Sequence, residues 1–123
     1  MSRRFLSQVC LFLFIATGSL AQDMNKGHAQ GGPVTVVISH RVREYYSWRR
    51  VFDADEHNRK NAGFKVWGVY LDPKDPGMVV IIGTCPSAAA AESFMSSSTL
   101  KDAMTRAGVT SKPEMKVLTT APR

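Results

Sequence analysis

The chain has 123 residues, enough for one domain and no second. Sixteen Lys and Arg against ten Asp and Glu leave a formal net charge of +6. Acidic residues interleave with the basic ones (Glu44, Asp53, Asp55 and Glu56 among Arg41, Arg43, Arg49 and Arg50), as on a solvated helix face, which argues against a nucleic-acid-binding protein.

The N-terminus has the three-part layout of a secretory signal peptide. Arg3 and Arg4 form a basic head, Val9 to Ala16 an apolar run, and Ser19-Leu20-Ala21 a small-x-small cleavage site. The apolar run is far shorter than the ~20 residues that cross a bilayer, so no stable membrane insertion is expected after cleavage. The expected division is a signal peptide over 1–21, a flexible linker over 22–33, one domain over 34–119 and a tail over 120–123. The location expected of the mature protein is secreted or periplasmic. Cleavage also removes Cys10 and leaves Cys85 alone, which excludes an intrachain disulfide and makes burial as a small apolar side chain the expectation.

The mature chain alternates between two periodicities. From Val34 to Val42, the residues Val34, Val36, Ile38, His40 and Val42 share one strand face. From Glu44 to Asn61, the residues Tyr45, Trp48, Phe52, Asp55 and Arg59 recur at steps of three and four. This predicts a helix with an aromatic stripe that turns polar at its C-terminal end, before a left-handed Gly63.

Two strands follow, Phe64 to Leu71 and Met78 to Thr84. The prolines and glycine of Asp72 to Gly77 predict a hairpin between them. Ala88 to Met95 predicts a second helix and Leu100 to Arg106 a further helical stretch stopped by Gly108. Glu114 to Leu118 is the last strand.

The order βαββαβ predicts an α+β ferredoxin-like fold: a four-stranded antiparallel sheet with both helices on one face. Met78 to Ile82 is apolar on both faces, so the side without helices needs a cover. No chain is left over to supply one, and a homodimer is the expected partner.

Over Val34 to Leu118 the chain resembles the dimeric α/β-barrel superfamily, in particular an uncharacterised branch similar to antibiotic-biosynthesis monooxygenase-like domains. The resemblance rests on His40-x-Val42-x-Glu44-Tyr45-x-x-Trp48 with Phe52-Asp53, on Arg59-x-x-x-Gly63, and on Val69-Tyr70. Phe94-x-x-Ser97 and Met104-x-x-Ala107-Gly108-Val109 complete it. It implies a barrel-forming dimer with a pocket between sheet and helices in each subunit. The branch tends to carry Asp, the better helix cap, where Glu44 stands. The Asn, Trp and His set of haem-degrading relatives does not map onto this chain, so that activity is not carried over.

Site chemistry centres on His40, which shares a face with Val36 and Ile38 and leads into the helix bearing Tyr45 and Trp48. An imidazole there is either a general base or a residue that fixes the turn by hydrogen bonding. Tyr45, Trp48, Phe52, Trp67 and Tyr70 are candidates to line a pocket for a flat aromatic or apolar ligand, and equally candidates for plain core. His57 and Arg59 stand near Asp53 and Asp55, placed to grip a carboxylate or, more plainly, to pair at the surface. The three histidines have no metal-ligand spacing, and no phosphate-binding glycine motif or nucleophile elbow occurs, so neither a metal nor another cofactor is expected.

Three functions remain open. The first is an exported small-molecule-binding module with a pocket rimmed by His40, Trp48 and Tyr70. The second is a cofactor-independent monooxygenase or isomerase with His40 as its base. The third is a structural or stress protein without a site.

Overall fold

The computed structural model describes residues 31–123. The signal peptide and most of the linker read from the sequence lie outside the described residues. The elements are β1 (Val34–Arg41), α1 (Tyr45–Ala54), α2 (Glu56–Asn61), β2 (Lys65–Asp72), β3 (Asp75–Cys85), α3 (Ala88–Ser96), α4 (Ser98–Ala107) and β4 (Glu114–Leu118). The sheet order is β2-β3-β1-β4 with every neighbour antiparallel. This is the ferredoxin-like α+β arrangement that the element order predicts.

Strand alternation selects the core. Val34, Val36, Ile38 and His40 of β1 lie on the helix side beside Val79, Ile81, Gly83 and Cys85 of β3, and all eight are buried. Phe64, Trp48, Ala91 and Phe94 close the core from above. Cys85 is a buried free thiol whose pKa burial pushes up, which fits an inert packing role.

The predicted helix over Glu44 to Asn61 is two helices. The chain breaks at Asp55 (φ −88°, ψ 8°), between the apolar α1 and the polar α2. Glu44 caps α1 more fully than expected of a glutamate. Its Oε1 accepts from the Tyr46 N–H at 2.9 Å and its Oε2 from the Ser47 N–H at 2.5 Å. Ser97 serves both α3 and α4, and Gly108 (φ 79°) ends α4 in the left-handed region.

In β2 a bulge falls between Val66 and Gly68, with Trp67 as the extra residue. The insertion reverses the side-chain phase. Val66 and Val69 pair with the buried-face residues Gly83 and Ile81, whereas Gly68 and Tyr70 pair with Ile82 and Val80 of the opposite face. That outer face carries Val37, Met78, Val80, Ile82 and Tyr70, with Leu118 at one side. Tyr70 and Leu118 are 53% and 47% exposed, large values for apolar side chains on a sheet.

Gly83 marks the tightest approach within the sheet. A Cβ built there would collide with the Lys65 carbonyl oxygen and come within 2.9 Å of Phe64 Cε2. The backbone carbonyl has no freedom to retreat. Gly83→Ala should lower the unfolding free energy by about 2 kcal/mol or more, although alanine is ordinarily the better strand residue. Gly77→Ala, where every such contact is 3.7 Å or longer, should be close to neutral. Urea titration of both variants checks the contrast.

Candidate functional site

Between the inner face of the sheet and the helices lies a cavity of about 50 Å³. Ile38, His40 and Ile81 form its sheet side. Trp48, Phe52, Asp55 and Arg59 line it from α1 and α2, and Phe94, Met95, Leu100 and Met104 from α3 and α4. On that measure the space holds about four waters, or one small ring, and a larger guest requires the flexible Met95 and Met104 to move.

His40 stands at the end of β1, paired with Val79, and is 4% exposed. Neither Nδ1 nor Nε2 has a hydrogen-bond partner among the described residues. The Trp48 ring lies 5.6 Å away at 60°, an apolar neighbour that offers no compensation. Burial lowers the His40 pKa from 6.5 to about 4, so the ring is neutral at physiological pH. A neutral imidazole offers one N–H donor and one acceptor. Leaving both buried without partners costs about 1–3 kcal/mol apiece, so an unpartnered imidazole calls for a specific reason.

A column of rings leads away from His40. Tyr45 stacks on Trp48 at 6.0 Å and Trp48 on Phe52 at 4.8 Å. The Arg59 guanidinium carbon then sits 3.7 Å above the Phe52 ring. These four are the stripe residues at steps of three, four and seven. Arg59 is 7% exposed, and its Nη1 donates to the Phe52 carbonyl at 2.5 Å. It is therefore not the surface-paired residue that the sequence suggests. The surface pairs in this region are Arg49–Asp53, at 2.9 Å, and Lys60–Glu56, at 3.2 Å.

His40, Trp48 and Phe52 thus meet at the cavity, with Tyr45 behind Trp48. Trp67 is 60% exposed at the bulge, and Tyr70 lies across Gly68 on the opposite face of the sheet. His57 is exposed on α2, where its Nε2 lies 3.1 Å from Asn61 Nδ2. The cavity's remaining wall, Phe94 to Met104, belongs to the second helical pair. In the sequence these residues signal only a second helix and a further helical stretch, with no chemistry attached. Among the described residues no group of three or more His, Cys, Asp or Glu side chains is placed to hold a metal ion. No helix among them is long and apolar enough to cross a membrane.

No family model matches the sequence, and no curated protein matches it. Solved structures do match. A Caulobacter crescentus protein provisionally described as an antibiotic biosynthesis monooxygenase superposes with a TM-score of 0.60. It is 15% identical, over 80% of this chain and 99% of its own. The fold is that of antibiotic biosynthesis monooxygenase domains. SnoaB, a cofactor-independent oxygenase from Streptomyces nogalater, gives 0.59 at 17% identity, over 75% of this chain and 96% of its own. A Mycobacterium tuberculosis protein gives 0.55 at 18% identity, over 75% and 98%. Likeness at these identities establishes the monooxygenase-type fold, and the chemistry must be read from the residues of this chain.

The orphaned histidine carries its own test. Below pH 6.5 the unfolded chain takes up a proton at this ring, whereas the folded protein does not until about pH 4. Its folded pKa is the lower one, so acidification through that window favours unfolding, by up to about 3 kcal/mol. Above pH 6.5 the effect vanishes. His40→Leu should be at least as stable as the wild type at pH 7 and should lose less stability on acidification to pH 4.5. Denaturant titrations of both proteins at the two pH values measure the difference, with the carboxylates common to both.

Proposed function

We propose that this domain binds a small, largely apolar ring compound in the cavity between sheet and helices, with a polar atom of the ligand hydrogen-bonded to His40. One observation carries the reading. Two ring nitrogens are buried at an apolar cavity with no partner among the described residues. A ligand hydroxyl or carbonyl would satisfy one of them and recover what burial costs.

A second reading, proton abstraction by His40 followed by oxygenation, draws support from the fold shared with a cofactor-independent oxygenase. In that scheme an activated ring CH2 passes a proton to His40 and the resulting carbanion delivers electrons to O2. One oxygen atom becomes a ring carbonyl, and the other leaves as water with both hydrogens of the CH2. The low His40 pKa supports the binding reading over this one, because a base at about 4 takes a proton from carbon less readily than an imidazole at its ordinary pKa.

Isothermal titration with phenol, compared between wild type and His40→Phe, tests the first reading. An affinity about tenfold lower in the variant is expected for one lost buried hydrogen bond, and equal affinities would sink the role given to His40. Oxygen uptake with anthrone tests the second reading. A wild-type rate that falls about 100-fold in His40→Ala would support a base. An inert wild-type protein would leave binding alone.

The domain is further proposed to be exported and to pair through the bare face of its sheet. The apolar outer surface around Val37, Val80, Ile82 and Tyr70 supports pairing, and the basic-apolar-small pattern of residues 1–21 supports export. Native mass spectrometry of protein from its own source should give twice the mass of a chain beginning at Gln22. Ile82→Lys should convert the species to monomer while leaving the circular dichroism spectrum unchanged. A wild-type monomer would refute the pairing.

A further inference from the structure

Arg59 is the only buried residue of α2, a six-residue helix with no apolar residue of its own. One of the five guanidinium N–H groups is used on the Phe52 carbonyl, and the aromatic ring below offers no directional acceptor. Among the described residues no carboxylate lies within 4 Å of this cation. The neighbouring acids are committed elsewhere. Asp53 pairs with the exposed Arg49 at 2.9 Å, Glu56 with the exposed Lys60 at 3.2 Å, and Asp55 Oδ1 accepts from Asn58 Nδ2 at 2.6 Å. Arginine keeps its charge even when desolvated, and an unpaired buried charge is expensive. Exposed acids nearby pair with exposed bases, while the buried cation feels Asp55, Glu56 and Asp53 through space and has no direct carboxylate partner among the described residues.

The position of Arg59 gives that shortage a use. Arg59 lines the inner cavity beside Trp48 and Phe94. It also borders an outer groove along Gly63 to Val66 and another beside Trp67 to Val69. It therefore stands in the wall between the cavity and solvent. A guest with its ring inward, against Trp48 and Leu100, would present its outer end to the guanidinium.

We infer that Arg59 is an anion-recognition residue, and that the compound bound in this cavity is an aromatic or alicyclic ring bearing a carboxylate or comparable oxyanion. The inference rests on the small-molecule reading of the cavity and narrows its ligand class. A planar guanidinium with free N–H groups matches a carboxylate in charge and in two-point geometry, where a lysine would offer only a point charge. Asp55, the other charged residue of the lining, is held by Asn58. Together with Asp53 and Glu56, which border the outer grooves beside Arg59, it opposes an anion through space, and the contact with the guanidinium must outweigh all three.

The test uses a matched pair of single-ring probes, benzoate and benzamide, titrated calorimetrically into the mature protein at pH 7. Wild type should bind the carboxylate at least about tenfold more tightly than the amide. Arg59→Met, which keeps the length of the side chain over Phe52, should bring that ratio close to one by weakening the carboxylate alone. Arg59→Lys should leave an intermediate preference. A variant that fails to fold does not stall the test, because the wild-type ratio decides by itself. Equal binding of acid and amide by the wild type overturns the role of Arg59 and leaves the cavity reading standing. Binding of neither probe removes the cavity reading, and this inference with it.

Discussion

Two strands at the centre of the sheet, β1 and β3, carry apolar side chains in alternate registers on both faces, and the rest of the molecule accommodates that fact. On one side Val36, Ile38, Val79 and Ile81 are covered by four short helices. On the other, Val37, Val80 and Ile82 are only half-buried among the described residues and stand outside the core cluster. The period of two that builds the core also delivers His40 to it, because the histidine occupies the next inward position after Ile38. A polar ring is thereby carried to the floor of an apolar layer by the same alternation that buries valine and isoleucine.

The interior bears two kinds of cost. His40 gives up hydration at both nitrogens without recovering it from the protein, and Arg59 gives up much of its own with one hydrogen bond in return. Polar groups retained in such surroundings are a mark of sites that trade stability for recognition. The aromatic column from Tyr45 to Phe52 places the two groups within one cavity lining: Trp48 packs against the imidazole and Phe52 against the guanidinium.

Much of this was legible in the sequence, for identifiable reasons. Element order, the hairpin and the stop signals at Gly63 and Gly108 are local properties of proline, glycine and side-chain period. The stripe Tyr45, Trp48, Phe52, Asp55 and Arg59 could be read at steps of three and four, including its polar end. Tyr70 could not be placed. Simple alternation groups it with Val66, and only the bulge at Trp67, a property of how β2 meets β3, turns it to the outer face. The sequence also suggests a surface pair for Arg59, because Glu56 and Asp55 lie three and four residues before it. Asp53 and Glu56 pair instead with their own i,i+4 neighbours Arg49 and Lys60, and what the sequence leaves open is which side of α2 lies over Phe52 and so buries Arg59.

By itself, then, the sequence determined the α+β class, the strand and helix faces, the two-sided greasiness of β3 and the inward direction of His40. These follow from periodicities of two and 3.6, which need no knowledge of neighbouring elements. The tertiary structure alone decided that His40 lacks a partner, that Arg59 is buried on Phe52, and that Tyr70 and Trp67 stand away from the cavity. Those outcomes depend on contacts between residues distant in the chain: the bulged register of β2 against β3, and the closure of α1 and α4 over the sheet. Local preference cannot encode them, because hydrogen bonding and desolvation of a buried group are set by whatever the fold brings within a few ångströms.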